Sequence, residues 1–123
     1  MDEPIRGKIE VSPNAIATLA AQSVLECYGV VGMAAPHLVN GLAEMLHIGQ
    51  RNLGVEVHVN GDGITIDLYV ILQYGTRIST VADEVMHSVI FNVERALGMP
   101  VRAVNVHVQG LRLPQSTLRN QDD

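Results

Sequence analysis

The fold is decided by residues 54–73, which read GVEVHVNGDGITIDLYVILQ. Apolar residues alternate with mostly polar ones on both sides of Gly61-Asp62-Gly63, a turn sequence whose residues tolerate positive φ. Period-two alternation places the apolar side chains of a strand on one face of a sheet. We therefore predict two antiparallel strands that share an apolar face and a polar face.

Apolar residues at helical spacing occur both before and after this hairpin in the sequence. Ser12-Pro13 is typical of a helix start, and apolar residues at helical spacing predict a first helix from Pro13 to Tyr28. A long amphipathic helix is predicted from Ile78 to Ala96, capped by Ser79 or Thr80. Between them, Pro36 opens another predicted helix with apolar residues on more than one side.

Three further segments complete the expected order of elements. Lys8–Val11 and Val104–Gln109 alternate and predict strands, whereas Val30–Met33 is apolar and short, typical of a turn or a very short strand. Helices with one apolar stripe bury it by covering the apolar face of the sheet. The predicted fold is an α+β two-layer sandwich, with a mostly antiparallel sheet and helices packed on one face.

The length and composition fit one small domain. The chain has 123 residues, of which 47% are hydrophobic and 17% charged, with a formal net charge of −5. We expect a flexible N-terminus (1–5), a single domain (6–113) and a disordered C-terminal tail (114–123). The scattered basic residues and acidic balance argue against nucleic-acid binding. We expect no direct membrane insertion, because no apolar run reaches the roughly 20 residues that a bilayer requires.

The polar face of the predicted sheet is the main candidate for chemistry. Its six polar side chains are Glu56, His58, Asp67, Tyr69, Asn105 and His107. Imidazole and carboxylate groups on neighbouring strands can hold a divalent metal or transfer protons. The simpler explanation is a solvated face, which antiparallel alternation requires anyway. We therefore predict no metal and no cofactor, with His58, Asp67 and His107 as the best candidates if a metal does bind.

The motifs of the common enzyme classes are absent from the sequence. Cys27 is the only cysteine, so an internal disulfide and a multi-cysteine metal site are excluded. It lies near the end of a predicted helix, where the helix dipole disfavours a thiolate, and core packing is the better explanation. His37, His47 and His87 are expected to be solvated. The sequence predicts a protein that is not an enzyme.

Several short stretches together resemble one protein family. In chain order they are Gly7–Pro13, Gly29–Met33, Gly54–Val57, Ile66–Val70, Tyr74-Gly75 and Val104–Gly110. Their order and spacing are similar to those of the alkaline-shock protein family of bacteria, also called the general-stress Gls family. The resemblance extends from about Arg6 to Leu113.

The resemblance implies a bacterial, cytoplasmic protein without an established enzymatic activity. Some members of this family respond to alkaline or cell-envelope stress, and some lie near the membrane by binding a separate, membrane-anchored partner. The family has no established set of catalytic or binding residues, so none is transferred to this chain.

Three functions are compatible with these observations. The leading hypothesis is a non-catalytic stress-response or envelope-homeostasis scaffold that forms homo-oligomers or docks on a protein partner. Its expected contact residues are Leu38, Leu42, Met45, Leu46, Tyr69 and Ile71. The alternative is a module for a small molecule or fatty-acyl chain, in a cleft lined by Met33, Leu42, Met45 and Leu46. A metal-dependent enzyme on the polar sheet face, using Glu56, His58, Asp67 and His107, is the third.

Overall fold

The computed structural model describes residues 6–34, 54–61 and 63–114. In chain order the elements are α1 (Pro13–Leu25), β1 (Val30–Met33), β2 (Val55–Asn60), β3 (Gly63–Gln73), α2 (Ile78–Leu97) and β4 (Val101–Arg112). The four strands form one sheet, and the helices pack on one face of it. The predicted α+β two-layer architecture is confirmed.

Strand β3 is the centre of the sheet. It pairs antiparallel with β2 over Gly63–Leu68, antiparallel with β1 over Val70–Leu72, and parallel with β4 from Ile64 to Gln73. Because β4 follows nearly the whole of β3, the two shorter strands share its opposite edge. The sheet is mostly antiparallel in its pairings, as predicted, but its longest pairing is parallel.

The residue after β1 and the residue before β2 both form backbone hydrogen bonds with Tyr69 on β3. The amide of Ala34 donates to the carbonyl oxygen of Tyr69 at 3.0 Å, and the amide of Tyr69 donates to the carbonyl oxygen of Gly54 at 2.8 Å. Gly54 has a φ of 96°, and a Cβ there would lie 2.9 Å from the Cβ of Met33. Glycine is therefore required where the end of β1 meets the start of β2.

The hydrophobic core lies between the helices and the inner face of the sheet. The inner residues of β3 are fully buried: Ile64, Ile66, Leu68, Val70 and Leu72. Helix α2 buries a stripe of four valines against them: Val81, Val85, Val89 and Val93. Helix α1 adds Ile16, Ala20 and Val24 to the same cluster. The alternation and the helical spacing thus predict the core correctly.

Helix α1 begins as the sequence predicts and ends earlier. The Ser12 hydroxyl oxygen accepts a hydrogen bond from the Ala15 amide at 3.1 Å, which satisfies one of the free amides of the first turn. The helix ends at Leu25 rather than Tyr28, and Gly29 makes the following turn with a φ of 93°. Helices α1 and α2 are joined by a hydrogen bond from Asn92 Nδ2 to the hydroxyl oxygen of buried Ser23.

The predicted cap of the long helix is wrong. Helix α2 begins at Ile78, so Arg77 takes the cap position and makes no side-chain capping hydrogen bond, while Ser79 and Thr80 lie within the first turn. At the other end Gly98 adopts the left-handed conformation, as expected. The Glu94 carboxylate then accepts from the Val101 amide at 2.9 Å and orients the start of β4.

The strand predicted at Lys8–Val11 does not form. These residues are exposed and belong to no sheet, and the side chain of Ile9 is 92% exposed. Alternation alone does not make a strand, because the backbone must also find an edge to pair with. Conversely, β4 extends beyond the predicted Val104–Gln109, since β3 offers a pairing partner along its full length.

Some predictions concern residues outside the described ranges. These are the helix that opens at Pro36, the flexible N-terminus (1–5) and, apart from Pro114, the C-terminal tail. His37 and His47 also lie outside them.

Candidate functional site on the outer sheet face

All six polar residues predicted on one sheet face lie on the outer face, opposite the helices. The register pairs Glu56 with Asp67 across β2 and β3, and Asp67 with Asn105 across β3 and β4. His58 lies opposite Thr65, and Tyr69 lies beside His107. Residues directly opposite on neighbouring strands point to the same face, so strand order brings together groups from three separate segments.

Asp67 is the centre of this group, which we call the Asp67 cluster (Glu56, His58, Asp67, Tyr69, Asn105 and His107). His107 Nε2 lies 3.1 Å from Asp67 Oδ1, and Asn105 Nδ2 donates to the same oxygen at 3.0 Å. The other oxygen, Oδ2, lies 3.7 Å from His58 Nε2. His58 and His107, which the sequence predicts on the same face, therefore approach one carboxylate.

The hydrogen bonds around Asp67 favour its charged form. Its side chain is only 19% exposed, yet the hydrogen bond from His107 holds the pKa of this carboxyl below its ordinary value, with Asn105 adding to the effect. Burial opposes this shift but does not outweigh it. The cluster is thus arranged around an ionised carboxylate.

Tyr69 connects the two sides of the cluster. Its ring stacks on the imidazole of His107, with centroids 4.6 Å apart and planes at 12°. Its hydroxyl donates to Glu56 Oε1 at 3.4 Å, a long hydrogen bond. Burial, and then the negative charge of Glu56, raise the pKa of the Tyr69 hydroxyl, so the phenol remains a donor at neutral pH.

Of the predicted contact residues, only Tyr69 and Ile71 lie in the described part of the chain. Both are half-buried on the outer face. On both neighbouring strands the residue opposite Ile71 is a glycine: Gly32 on β1 and Gly110 on β4. A Cβ at either glycine would meet no atom within 4 Å. Ile71 therefore projects from the sheet between two open positions, where another chain can approach the backbone closely.

The predicted contact residues Leu38, Leu42, Met45 and Leu46 lie outside the described ranges. Of the predicted acyl cleft, only Met33 is described, and it packs partly buried against the core. The structure shows an apolar groove elsewhere, with a volume of about 720 Å³. It lies between the exposed N-terminal segment, the end of β2 and the end of α2, and its lining includes Ile9, Val59 and Leu97.

The remaining candidates have structural explanations. Cys27 packs half-buried against the core, and burial raises the pKa of its thiol, which disfavours the nucleophilic thiolate. His87 is exposed on α2, where its Nδ1 lies 3.5 Å from an oxygen of Asp83 one turn away. Core packing of Cys27 and exposure of His87 are confirmed.

The two glycines beside Ile71 are the part of this face that sequence reasoning missed. Gly32 belongs to a segment interpreted as a turn or very short strand, and Gly110 lies beyond the predicted end of the last strand. The position of both glycines beside Ile71 follows only from the strand register, and this register shifts next to each of them. No local signal in the sequence indicates that they lie beside the same residue.

A comparison with known proteins identifies the family of this chain. A family model described as the alkaline-shock protein 23 family, with a cell envelope-related function, matches residues 1–113. The chain belongs to this family. This match confirms the resemblance noted in the sequence. The function described for the family is related to the cell envelope.

Relatives of this family member are found in Bacillus subtilis and Streptococcus pyogenes. The chain is 41% identical over 108 residues to the uncharacterized protein YloU of Bacillus subtilis (strain 168), covering 87% of this chain and 90% of that protein. It is 36% identical over 108 residues to the uncharacterized protein Spy1614 of Streptococcus pyogenes serotype M6, covering 87% and 89%. It is 27% identical over 117 residues to the uncharacterized protein YqhY of Bacillus subtilis (strain 168), covering 95% and 86%.

No solved structure matches the chain significantly. Neither the family description nor the names of these relatives indicate catalysis. Neither of the helices α1 and α2 is long and apolar enough to cross a membrane.

Proposed function

We propose that this protein is a non-catalytic interaction module of the cell envelope that self-associates through its outer sheet face. The observation that carries the proposal is the position of Ile71 between Gly32 and Gly110, next to the stack of Tyr69 on His107. Both described helices cover the opposite face, so an apolar side chain and an aromatic ring remain on a surface that solvation alone does not explain.

The charges of this face favour a second copy of the chain as the occupant. The chain as a whole carries a net charge of −5. On the outer face, however, the carboxylates of Glu56 and Asp67 are accompanied by the guanidinium of Arg112, which lies opposite Gln73 at the far end of β3. A face that carries charges of both signs meets its own copy across a twofold axis without net repulsion.

The size of the face sets the expected strength of association. Three strands about 4.8 Å apart and about 36 Å long give a footprint of roughly 500 Å². Stable complexes bury about 800 Å² on each partner. We therefore expect a reversible dimer whose population depends on concentration in the micromolar range.

Sedimentation velocity over a range of concentrations tests the proposal. The variant Ile71→Asp places a charge at the centre of the expected contact and should raise the dissociation constant at least tenfold. The matched control is Phe91→Asp, which charges an apolar side chain that is 59% exposed on α2, away from the sheet. It should leave the dissociation constant within twofold of the wild type.

Two results would contradict self-association through this face. One is a wild-type protein that stays monomeric up to millimolar concentration. The other is loss of the dimer in the Phe91→Asp variant but not in Ile71→Asp. A photocrosslinker at position 71 that attaches a different protein in cells, with no crosslinked homodimer, would assign the face to another partner.

We also propose that the protein acts in the cytoplasm and reaches the membrane through a membrane-anchored partner. The envelope-related description of the family supports this placement. Self-association and anchoring are compatible if they use different surfaces. Membrane association that persists in the Ile71→Asp variant would assign the anchor to a surface other than the outer face.

Binding of an acyl chain is a second proposal, which the apolar groove of about 720 Å³ supports. This volume is within the range of small-molecule sites, about 300–1,000 Å³. Val59→Asp would place a charge in its wall. Native mass spectrometry should then show a fatty acid on the wild type and none on the variant. Wild-type protein that carries no acyl ligand and shows no thermal shift with fatty acids would contradict this function.

A further inference from the structure

The Asp67 cluster contains three potential metal ligands of mixed chemistry. Glu56 and Asp67 contribute carboxylate oxygens and His58 an imidazole nitrogen, and one such atom from each lies within 4.8 Å of the other two. They come from adjacent strands, β2 and β3, whose pairing fixes the backbone on both sides. A site on strands is held more rigidly than one on a loop.

Glu56 and Asp67 place two carboxylates side by side on the outer face. The two residues lie directly opposite each other on antiparallel strands. Like charges in this position repel each other and destabilise a sheet. A divalent cation between the two carboxylates converts this repulsion into attraction, because each carboxylate then faces two positive charges.

The hydrogen bonds described for each carboxylate engage one of its two oxygens. On Asp67, Oδ1 is held by His107 and Asn105, whereas Oδ2 is the oxygen nearer to His58 Nε2. On Glu56, Oε1 accepts the hydrogen bond from Tyr69. Outer hydrogen bonds of this kind orient carboxylate ligands in metal sites.

We propose that Glu56, His58 and Asp67 bind a divalent transition-metal ion of the Zn²⁺ class. In tetrahedral zinc sites with bonds of about 2.0–2.1 Å, neighbouring ligand atoms are about 3.3 Å apart. His58 Nε2 and Asp67 Oδ2 are 3.7 Å apart and all three ligand atoms lie within 4.8 Å of one another, so side-chain rotations would have to bring them closer around the ion. The imidazole nitrogen favours Zn²⁺ over Mg²⁺ and Ca²⁺, which prefer oxygen ligands.

The remaining coordination position is expected to hold water. In the single chain the side chain of His58 is 60% exposed, so the site opens to solvent and metal has direct access before a second copy docks. Three protein ligands with an open position, rather than four in a closed cage, give moderate affinity. We expect one ion per chain with a dissociation constant in the micromolar range.

Isothermal titration of ZnCl₂ into EDTA-stripped, dialysed protein tests this site. Glu56→Gln, His58→Gln and Asp67→Asn each remove one ligand charge or nitrogen and should weaken zinc binding at least tenfold. Tyr69→Phe and His107→Gln remove outer hydrogen bonds and should weaken it by a smaller factor. Circular dichroism in the absence of metal shows whether each variant is folded, and only folded variants are compared.

The chain offers a matched control on α2. His87 and Asp83 form a histidine–carboxylate pair at 3.5 Å, similar in length to that of His58 and Asp67 but on the helix surface. His87→Gln should leave the zinc affinity within twofold of the wild type. Co²⁺ titration adds a spectroscopic readout, because visible absorption bands of four-coordinate Co²⁺ should appear in the wild type and disappear in His58→Gln.

The proposal is overturned by binding that is not stoichiometric or by ligand variants that bind zinc within threefold of the wild type. Greater loss in His87→Gln than in His58→Gln would also overturn it, because it would place the metal on α2. The three ligands belong to one chain, so the site needs no second copy, although it lies on the face through which we propose self-association. The Ile71→Asp variant keeps all three ligands and should bind zinc normally, so failure of the dimer and failure of the metal site are distinguishable.

Discussion

The two faces of β3 follow the same alternation and carry different side chains. On the inner face five aliphatic side chains from Ile64 to Leu72 are fully buried against α1 and α2. On the outer face Thr65, Asp67, Tyr69 and Ile71 are half-buried, and Asp67 and Tyr69 contact His107 through a hydrogen bond and ring stacking. Successive residues of one strand thus lie either in the core or on the outer face, because successive side chains point to opposite sides of a sheet.

The largest expected effect comes from a substitution on the inner face. Leu68→Asp places an unpaired charge among fully buried aliphatic side chains, and the charge has no partner there. We expect a loss of more than about 4 kcal/mol in the free energy of unfolding, which is a large part of the roughly 5–15 kcal/mol of a typical domain. Circular dichroism and urea denaturation should show an unfolded or barely stable chain.

The matched substitution three residues along the same strand sharpens this comparison. Ile71→Asp introduces the same charged side chain on the outer face, where it remains accessible to water. The protein should stay folded, with a free energy of unfolding within about 1 kcal/mol of the wild type. A stable Leu68→Asp variant, or an unfolded Ile71→Asp variant, would show that the two faces have been assigned the wrong way round.

A smaller effect concerns acid stability and comes from the outer face. The folded-state pKa of Asp67 is below its ordinary value of 3.8, mainly because His107 donates a hydrogen bond to the carboxylate. Its contribution to stability is therefore fully present above about pH 4, where the carboxylate is ionised in both states. It is lost as the pH falls through the lower, folded-state pKa, because protonation removes the preferential stabilisation of the charged form.

Urea denaturation in EDTA at a series of pH values measures this contribution. The difference in free energy of unfolding between the wild type and Asp67→Asn should decrease as the pH falls below 4, since the variant has no carboxylate to protonate at this position. A difference that does not change across this range would show that His107 does not stabilise the charge.

Local pattern was sufficient to predict the hairpin and the core. The alternation in residues 54–73 predicts β2 and β3 and the buried face of β3, and the spacing of valines predicts the buried stripe of α2. Ser12 and Gly98 indicate helix ends through their own backbone and side-chain chemistry. These features depend on residues close together in the chain, which is why the sequence reveals them.

Other features depend on contacts between distant segments. The alternation at Lys8–Val11 is as regular as that of a strand, but this segment pairs with no sheet edge. The long helix begins at Ile78 as predicted, but Arg77 rather than Ser79 or Thr80 takes the cap position. In each case the pattern was present, and the position of the backbone in three dimensions decided the outcome.

The sequence by itself determined which residues face the core and which face outward, because side-chain direction follows from the period of the local backbone. Only the tertiary structure decided which outward residues are neighbours. It placed Asp67 between Glu56 and Asn105, and Ile71 between Gly32 and Gly110, because β4 returns parallel to β3 while β1 and β2 share the opposite edge. Hydrogen bonding between strands far apart in the chain sets this register, and no local property of the chain specifies it.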